Sequence, residues 1–435
     1  MRKVHITSLG CAKNLVDSEV LAGQLKLRDY KLTNNPSDAE LIVINTCGFI
    51  EEAKKESIQA IFEATEMKKS DRGKQVFVTG CLSQRYKDEL TAEIPAIDAI
   101  FGTEDYEKIL YRLGENSYHP QGIYKFRELK TSGHFAYLKI SEGCNHACAF
   151  CAIPGIRGKH RSRDIEDILS ETRILAEKGV KELILVSQDT SYYGKDIYQK
   201  TKIVDLISKI VDEDLFTWIR PLYWYPSNFP REYIQLMNIY DTVVPYLDMP
   251  VQHASNRVLA MMRRAEKKET LLDLYAQIRE IRPDIALRTT FIVGHPGESE
   301  DDFKQLIEFI QTVRFDRVGA FIYSDEEGTP AYDLYPKVDK ETAQKRYERL
   351  MTVQAKISAE NNQQYVDSVQ KVLIDGYDMD QNYYYGRTSR DAPEIDNEVI
   401  ISSSDYDEKL IGTFVDVQIS DVSEYELYGQ IVVCL

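Results

Sequence analysis

The stretch Tyr137-Leu-Lys-Ile-Ser-Glu-Gly-Cys144-Asn-His-Ala-Cys148-Ala-Phe-Cys151 decides the fold. Its first half continues a strand that starts at Phe135, and its second half spaces three cysteines as C-x3-C-x2-C. A loop this short can wrap three thiolates around one face of a cube-shaped cluster. Three thiolates satisfy three irons of a [4Fe–4S] cluster, which normally takes four ligands, so the fourth iron stays open to a cofactor or substrate. A structural zinc site would need a closed tetrahedral set, completed by His146 or by a distant residue. The preceding strand, and the aromatic Phe150 just before the third cysteine, favour the cluster.

Outward from this loop the chain keeps alternating strand and helix. Strands are expected at 135–140, 182–187, 218–223, 244–247, 287–293 and 317–323, with helices such as 164–178, 270–281 and 299–313 between them. Six repeats give an open (βα)6 partial barrel over 134–365, ending in a long polar helix at 340–365. From Lys371 the text changes to short Tyr-, Val- and Asp-rich strands, as in a small β-barrel spanning 370–435. Upstream, strands at 4–8, 41–45, 75–79 and 98–101 alternate with helices at 14–28, where Asn14 is the expected N-cap, and at 50–69. This describes an α/β domain with a doubly wound parallel sheet over 1–115. The polar stretch 116–133, with Pro120, reads as a linker.

Three further cysteines share one topological position. Cys11, Cys47 and Cys81 each follow a strand of the first domain, at the carboxyl edge where such sheets bind ligands. One such cysteine is commonly a small core residue. Three at equivalent positions, two of them directly after glycine, indicate a second three-cysteine cluster.

Composition narrows the setting. No run approaches the roughly 20 apolar residues of a membrane span. A first strand at Lys3-Val4-His5-Ile6-Thr7 leaves no room for a signal peptide's apolar core. The expected location is the reducing cytoplasm, where seven cysteines point to metal or redox chemistry rather than disulfides. Net charge is −16, and from Lys371 onward fourteen acidic residues stand against four basic ones, a local net of −10. Such a surface repels phosphate backbones.

The Cys144–Cys151 motif resembles the signature of radical S-adenosylmethionine (SAM) enzymes. That resemblance implies that SAM binds the open iron, and that a radical derived from it abstracts hydrogen from an unactivated C–H bond. Two cysteine triads in this order, followed by a small β-barrel, are similar to the methylthiotransferases: a three-cysteine α/β domain, a radical SAM core and a TRAM domain. Such enzymes replace C–H by C–S–CH3, which implies two [4Fe–4S] clusters, SAM as source of methyl and radical, and a low-potential electron donor (flavodoxin- or ferredoxin-like). Tyr137–Cys144, Leu185-Val-Ser-Gln-Asp189-Thr-Ser-Tyr-Tyr-Gly194 and Gln252-His-Ala-Ser255 resemble the ribosomal-protein branch, the RimO type. Its substrate is an aspartate β-carbon in the basic twelfth small-subunit ribosomal protein. The tRNA branch (MiaB type) usually carries Gly-Gln-Asn-Val where this chain has Ser187-Gln-Asp-Thr190, and its anionic partner suits an acidic domain poorly. A non-catalytic, metal-stabilised scaffold that binds a ribosome or RNA is the alternative of another class.

Gln188 and Asp189, which end the second barrel strand, are candidates for the amino group or ribose of SAM, as is Phe150 in the cysteine loop. Gly294, in the stretch 289–298, either lets SAM approach closely or makes a tight βα turn. Arg157, Arg161 and Arg163 are candidates for the SAM carboxylate or the target aspartate, or are solvated charge. His295 stands where the family usually has Phe, and no catalytic role is expected of it. His146 reads as a supporting or surface residue, and Cys434 as a bystander.

Overall fold

The computed structural model describes residues 2–71, 73–115, 122–403 and 406–432. Pro120, Asp405 and Cys434 lie outside the described residues.

The first sheet is wholly parallel, formed by β1 (Lys3–Ser8), β2 (Lys31–Leu32), β3 (Leu41–Thr46), β4 (Gln75–Gly80) and β5 (Ala99–Ile100), in the order β2-β1-β3-β4-β5. β3 is buried at every position, as its unbroken Leu-Ile-Val-Ile run requires of a central strand covered on both faces. Strand order reverses between β1 and β3, and the carboxyl ends beside such a reversal are where α/β sheets hold ligands. The first helix runs Ala12–Lys26 with Cys11, not Asn14, at its N-cap. Asn14 is drawn away from capping by a tertiary demand: its Nδ2 donates to the carbonyls of Leu9 at 2.9 Å and Thr46 at 3.0 Å.

The second unit begins with β6 (Phe135–Lys139). A short antiparallel pair, β7 (Ser141–Glu142) and β8 (Arg161–Ser162), brackets the cysteine loop. Then come β9 (Glu182–Val186), β10 (Trp218–Pro221), β11 (Tyr246–Asp248), β12 (Ala286–Val293) and β13 (Arg317–Ile322). The barrel strands form two parallel three-stranded sheets, β10-β9-β6 and β11-β12-β13, joined by a bridge between Ile219 and Val243. The barrel is therefore open, with β6 and β13 at its two edges. Along β6, Ala136 and Leu138 pack outward with the helices, while Phe135 and Tyr137 turn to the lumen. This is the period-two alternation of a pleated strand.

The third unit is a closed barrel in the order β14-β15-β16-β18-β17, from β14 (Val369–Asp378), β15 (Tyr383–Arg387), β16 (Glu398–Ser402), β17 (Phe414–Val422) and β18 (Glu426–Ile431). Its β15–β16 loop plugs the bottom of the open barrel. Arg387 pairs with Glu182 at 2.7 Å, Asp391 with Arg317 at 2.6 Å, and Asp396 with Arg288 at 3.1 Å. Tyr137 donates to Glu394 at 3.0 Å. The acidic excess of this domain is thus not all outward: Asp375, Asp391, Glu394 and Asp396 face the barrel side, where Asp375 pairs with His134.

Residues 122–133 are not a loose spacer. Arg127 is 1% exposed and pairs with Glu19 of the first domain and Glu171 of the barrel.

Candidate active site

The barrel cysteines sit in a loop whose base is pinned by the β7–β8 pair. Within it Cys144 N–H donates to the Gly158 carbonyl at 3.1 Å, and Cys151 N–H to that of Cys148 at 3.2 Å. Burial pushes the Cys144 thiol up to about 11 and the Cys151 thiol up to about 12. Metal coordination deprotonates such thiols outright. Arg264 lies against Cys148 and stacks over the Tyr225 ring at 4.1 Å. His146 stacks on the same Tyr225, with centroids 3.6 Å apart and planes within 5°, and its Nε2 lies 2.6 Å from Asp189. Tyr225 and Arg264 are invisible in the motif, because they arrive from the loop after β10 and the turn before Lys268.

Gln188 and Asp189, at the end of β9, each carry a buried acceptor with no partner: Gln188 Oε1 and Asp189 Oδ1. Buried acceptors without donors are rare in folded proteins. They fit a ligand that brings N–H or O–H groups, as the ammonium and ribose of SAM do. Gly294 has φ +74°, and a Cβ there would meet the Cβ of Ala343 at 2.7 Å. Helix packing and the turn are enough to require glycine at that position. Phe150 is half-buried in the loop.

The second triad is assembled from strand ends. Cys11 follows β1, Cys47 follows β3, and Cys81 opens the helix Cys81–Arg85 after β4. Gly10 has φ +88°, and a Cβ there would lie 2.8 Å from Cys47 Sγ, so the glycine lets the first cysteine's strand end approach the second. Burial raises Cys47, and drives Cys81 up to about 12. Cys11 behaves differently. It opens to solvent, yet the protein packed around it works to raise its pKa; Lys13 and Arg157 outweigh that, and its thiol is lowered. A helix N-terminus at Cys11 favours the thiolate as well.

Three sulfurs around one zinc at ~2.3 Å stand roughly 3.8 Å apart. Among the described residues, Asp17, Glu104 and Glu142 are the one trio whose ligand atoms all lie within 4.8 Å, and there the Lys139 ammonium sits among the carboxylates. Neither cysteine triad has its three sulfurs within 4.8 Å of one another.

The two triads face each other across a charged seam. Arg157 leaves the cysteine loop on the helix Ile153–Arg157 and reaches the first domain, pairing with Glu142 at 2.9 Å and Asp17 at 3.1 Å and meeting Asn14. Its charge also acts on Cys11 and Cys81. Lys139 bridges Asp17, Glu104 and Glu142. Arg161 and Arg163 are paired too, with Glu104 and with Asp167 and Glu171. A cleft of about 470 Å³ is lined by Cys148 and Cys151 on one side and by Gln84 and Arg85 of the Cys81 helix on the other. Tyr223 and Gln252, just past β10 and β11, have positive φ of 62° and 71°. Such strain in bulky residues gathers at functional sites.

Lys13, missed in the sequence, donates to the Ser187 carbonyl at 3.3 Å across this seam. Its one sequence signal was a cation two residues after a candidate ligand.

Three sequence families match in chain order: Uncharacterized protein family UPF0004 over residues 3–102, the Radical SAM superfamily over 138–310, and the TRAM domain over 366–432. A ribosomal protein uS12 methylthiotransferase RimO from Clostridioides difficile (strain 630) is 47% identical over 442 residues, covering 99% of each chain. Its counterpart from Chloroherpeton thalassium is 45% identical over 432 residues, covering 99% of this chain and 98% of the relative. Among solved structures, the radical SAM methyltransferase TsrM from Kitasatospora setae, with cobalamin and a [4Fe–4S] cluster bound, aligns with a TM-score of 0.55 at 14% identity, over 85% of this chain and 80% of that one. At that identity the likeness is one of fold.

Proposed function

Because the chain belongs to the ribosomal protein uS12 methylthiotransferases of the radical SAM superfamily, we propose that it replaces one β-hydrogen of an aspartate in that basic ribosomal protein by a methylthio group. The observation that carries this reading is the placing of two thiol triads on opposite sides of one charged seam. Cys144, Cys148 and Cys151 would hold one [4Fe–4S] cluster, and Cys11, Cys47 and Cys81 the other. When bound, SAM and the two clusters supply homolytic C–H activation, a methyl group and sulfur.

The chain's own contribution is placement. Asp189 and Gln188 present acceptors to the amino and hydroxyl groups of SAM, and Phe150, half-buried in the cysteine loop, lines its approach. Arg157 keeps positive charge beside Cys11 and Cys81, where thiolates must form. The outward acids of the small β-barrel suit a basic protein partner and repel tRNA. No helix among the described residues is long and apolar enough to cross a membrane. A flavodoxin- or ferredoxin-like protein in the cytoplasm would deliver the electrons.

The test is anaerobic reconstitution with iron and sulfide, followed by turnover with SAM and purified ribosomal protein. About eight irons and eight sulfides per chain, and a methylthio mass increment on a single aspartate, are expected. Iron with no sulfide, or a product on tRNA instead, would overturn the reading.

A further inference from the structure

Among the described residues, every buried lysine or arginine but one has a carboxylate within salt-bridge distance: Lys74, Arg127, Lys139, Arg157, Arg220, Arg264, Arg317, Arg346, Arg387 and Arg390 are each so paired. Lys13 is the exception. It is 8% exposed, its one hydrogen bond is the 3.3 Å contact to the Ser187 carbonyl, and its ammonium lies 3.7 Å above the centre of the Tyr223 ring. A carbonyl and a ring face hold a cation in place, but they do not neutralise it. The Lys13 charge acts on the Cys11 thiol two residues away and on Glu142, but no carboxylate lies within salt-bridge distance of it, and it stands in the seam between the two cysteine triads.

We propose that Lys13 binds the carboxylate of the target aspartate, and so determines that this enzyme accepts an acidic side chain. This rests on the function proposed above and adds to it the residue that reads the substrate. The other seam cations are already paired: Lys139 with three carboxylates, and Arg157 with two. On the opposite wall, Asp189 Oδ1 and Gln188 Oε1 are acceptors, which suit the donor groups of SAM and repel a carboxylate. Lys13 also stands two residues from Cys11. The aspartate β-carbon is bonded directly to its carboxylate carbon, so an anion held by Lys13 brings the reacting carbon beside the sulfur-delivering triad. A site built around one charge rejects the neutral isostere, because the asparagine amide leaves that charge unpaired.

The experiment compares wild type, Lys13→Met and Lys13→Arg, each reconstituted anaerobically, against purified ribosomal protein uS12 and its target Asp→Asn variant. Equilibrium binding of the ribosomal protein is read by fluorescence anisotropy, and methylthio product by mass spectrometry. Wild type is expected to bind the Asp form at least about 10-fold more tightly than the Asn form. Lys13→Met should bring the two within about twofold, and Lys13→Arg should restore part of the preference. Iron and sulfide content is measured in each variant, because Lys13 also lowers the Cys11 thiol, and the preference is compared at matched auxiliary iron content. A preserved Asp-over-Asn preference in Lys13→Met would overturn the proposal, and so would lost auxiliary iron with that preference intact, which marks Lys13 as a counter-charge for the cluster. Wild type that binds with the preference but makes no methylthio product would instead break the proposed function and leave the Lys13 reading standing.

Discussion

Cys144, Cys148 and Cys151 share one loop, whose base is tied by two short strands. Cys11, Cys47 and Cys81 stand on three separate strand ends, brought together by a sheet order that reverses between β1 and β3. The loop site carries its three thiols together and takes only packing from afar, with Tyr225 stacked on His146 and Arg264 against Cys148. The strand-end site borrows its positive wall from elsewhere, because Arg157 reaches it from the barrel. A local motif brings its ligands together by spacing alone. A dispersed one depends on the packing of the whole molecule.

The largest expected effect tests that contrast at the loop. Each of Cys144→Ala, Cys148→Ala and Cys151→Ala should reduce SAM cleavage, followed as 5′-deoxyadenosine, by at least ~100-fold, since three ligands leave none to spare. Undiminished cleavage in any of them would remove the loop from the chemistry. At the strand ends, a Cys11/Cys47/Cys81 triple Ala variant should make no methylthio product yet cleave SAM within about threefold of wild type, as its cofactor chemistry lies in the other site. If cleavage vanishes as well, the two sites are not separable.

Arg157→Ala attacks the bridge between them. It leaves Asp17 and Glu142 buried with less compensation and should cost about 3–5 kcal/mol in urea unfolding. A change under 1 kcal/mol would mean that the seam is not a structural joint.

A smaller effect should appear on the barrel side alone. His295 is fully buried, and burial lowers its pKa to about 4. The unfolded value is about 6.5, so between the two the unfolded chain binds a proton that the native state does not. Its contribution is complete above pH 6.5 and is lost as pH falls toward 4. His295→Phe should therefore flatten the acid side of the stability curve by up to about 3 kcal/mol, followed by the fluorescence of Trp218 and Trp224, both in the barrel unit. An unchanged acid slope would clear His295. The smallest effect belongs to the third unit. Reversing exposed Asp407 and Glu408 to Lys should slow association with the basic ribosomal protein a few-fold at low salt, and the difference should shrink as the screening length falls from about 8 Å at 0.15 M to about 3 Å at 1 M.

The same contrast governs what could be read from sequence. The barrel strands were legible to within a residue or two, because their apolar runs carry their own period. Asn14 misled, since a polar residue near a helix start ordinarily caps it, and nothing local says that two distant carbonyls claim its amide. Lys13, Tyr225 and Arg264 were unreadable for a related reason: each acts across elements far apart in the chain. The acidic C-terminal count was correct as arithmetic but incomplete as a surface, because composition does not say which carboxylates face inward.

The β15–β16 loop that closes the barrel's lower end has a kinetic consequence. With that end stoppered by paired charges, access to the lumen is left to the side of the cysteine triads and to the open flank between β6 and β13. A protein docked on the triad side would narrow the way in for small molecules. The expected consequence is an ordered sequence in which SAM binds before the ribosomal protein, an order that product-inhibition kinetics would read.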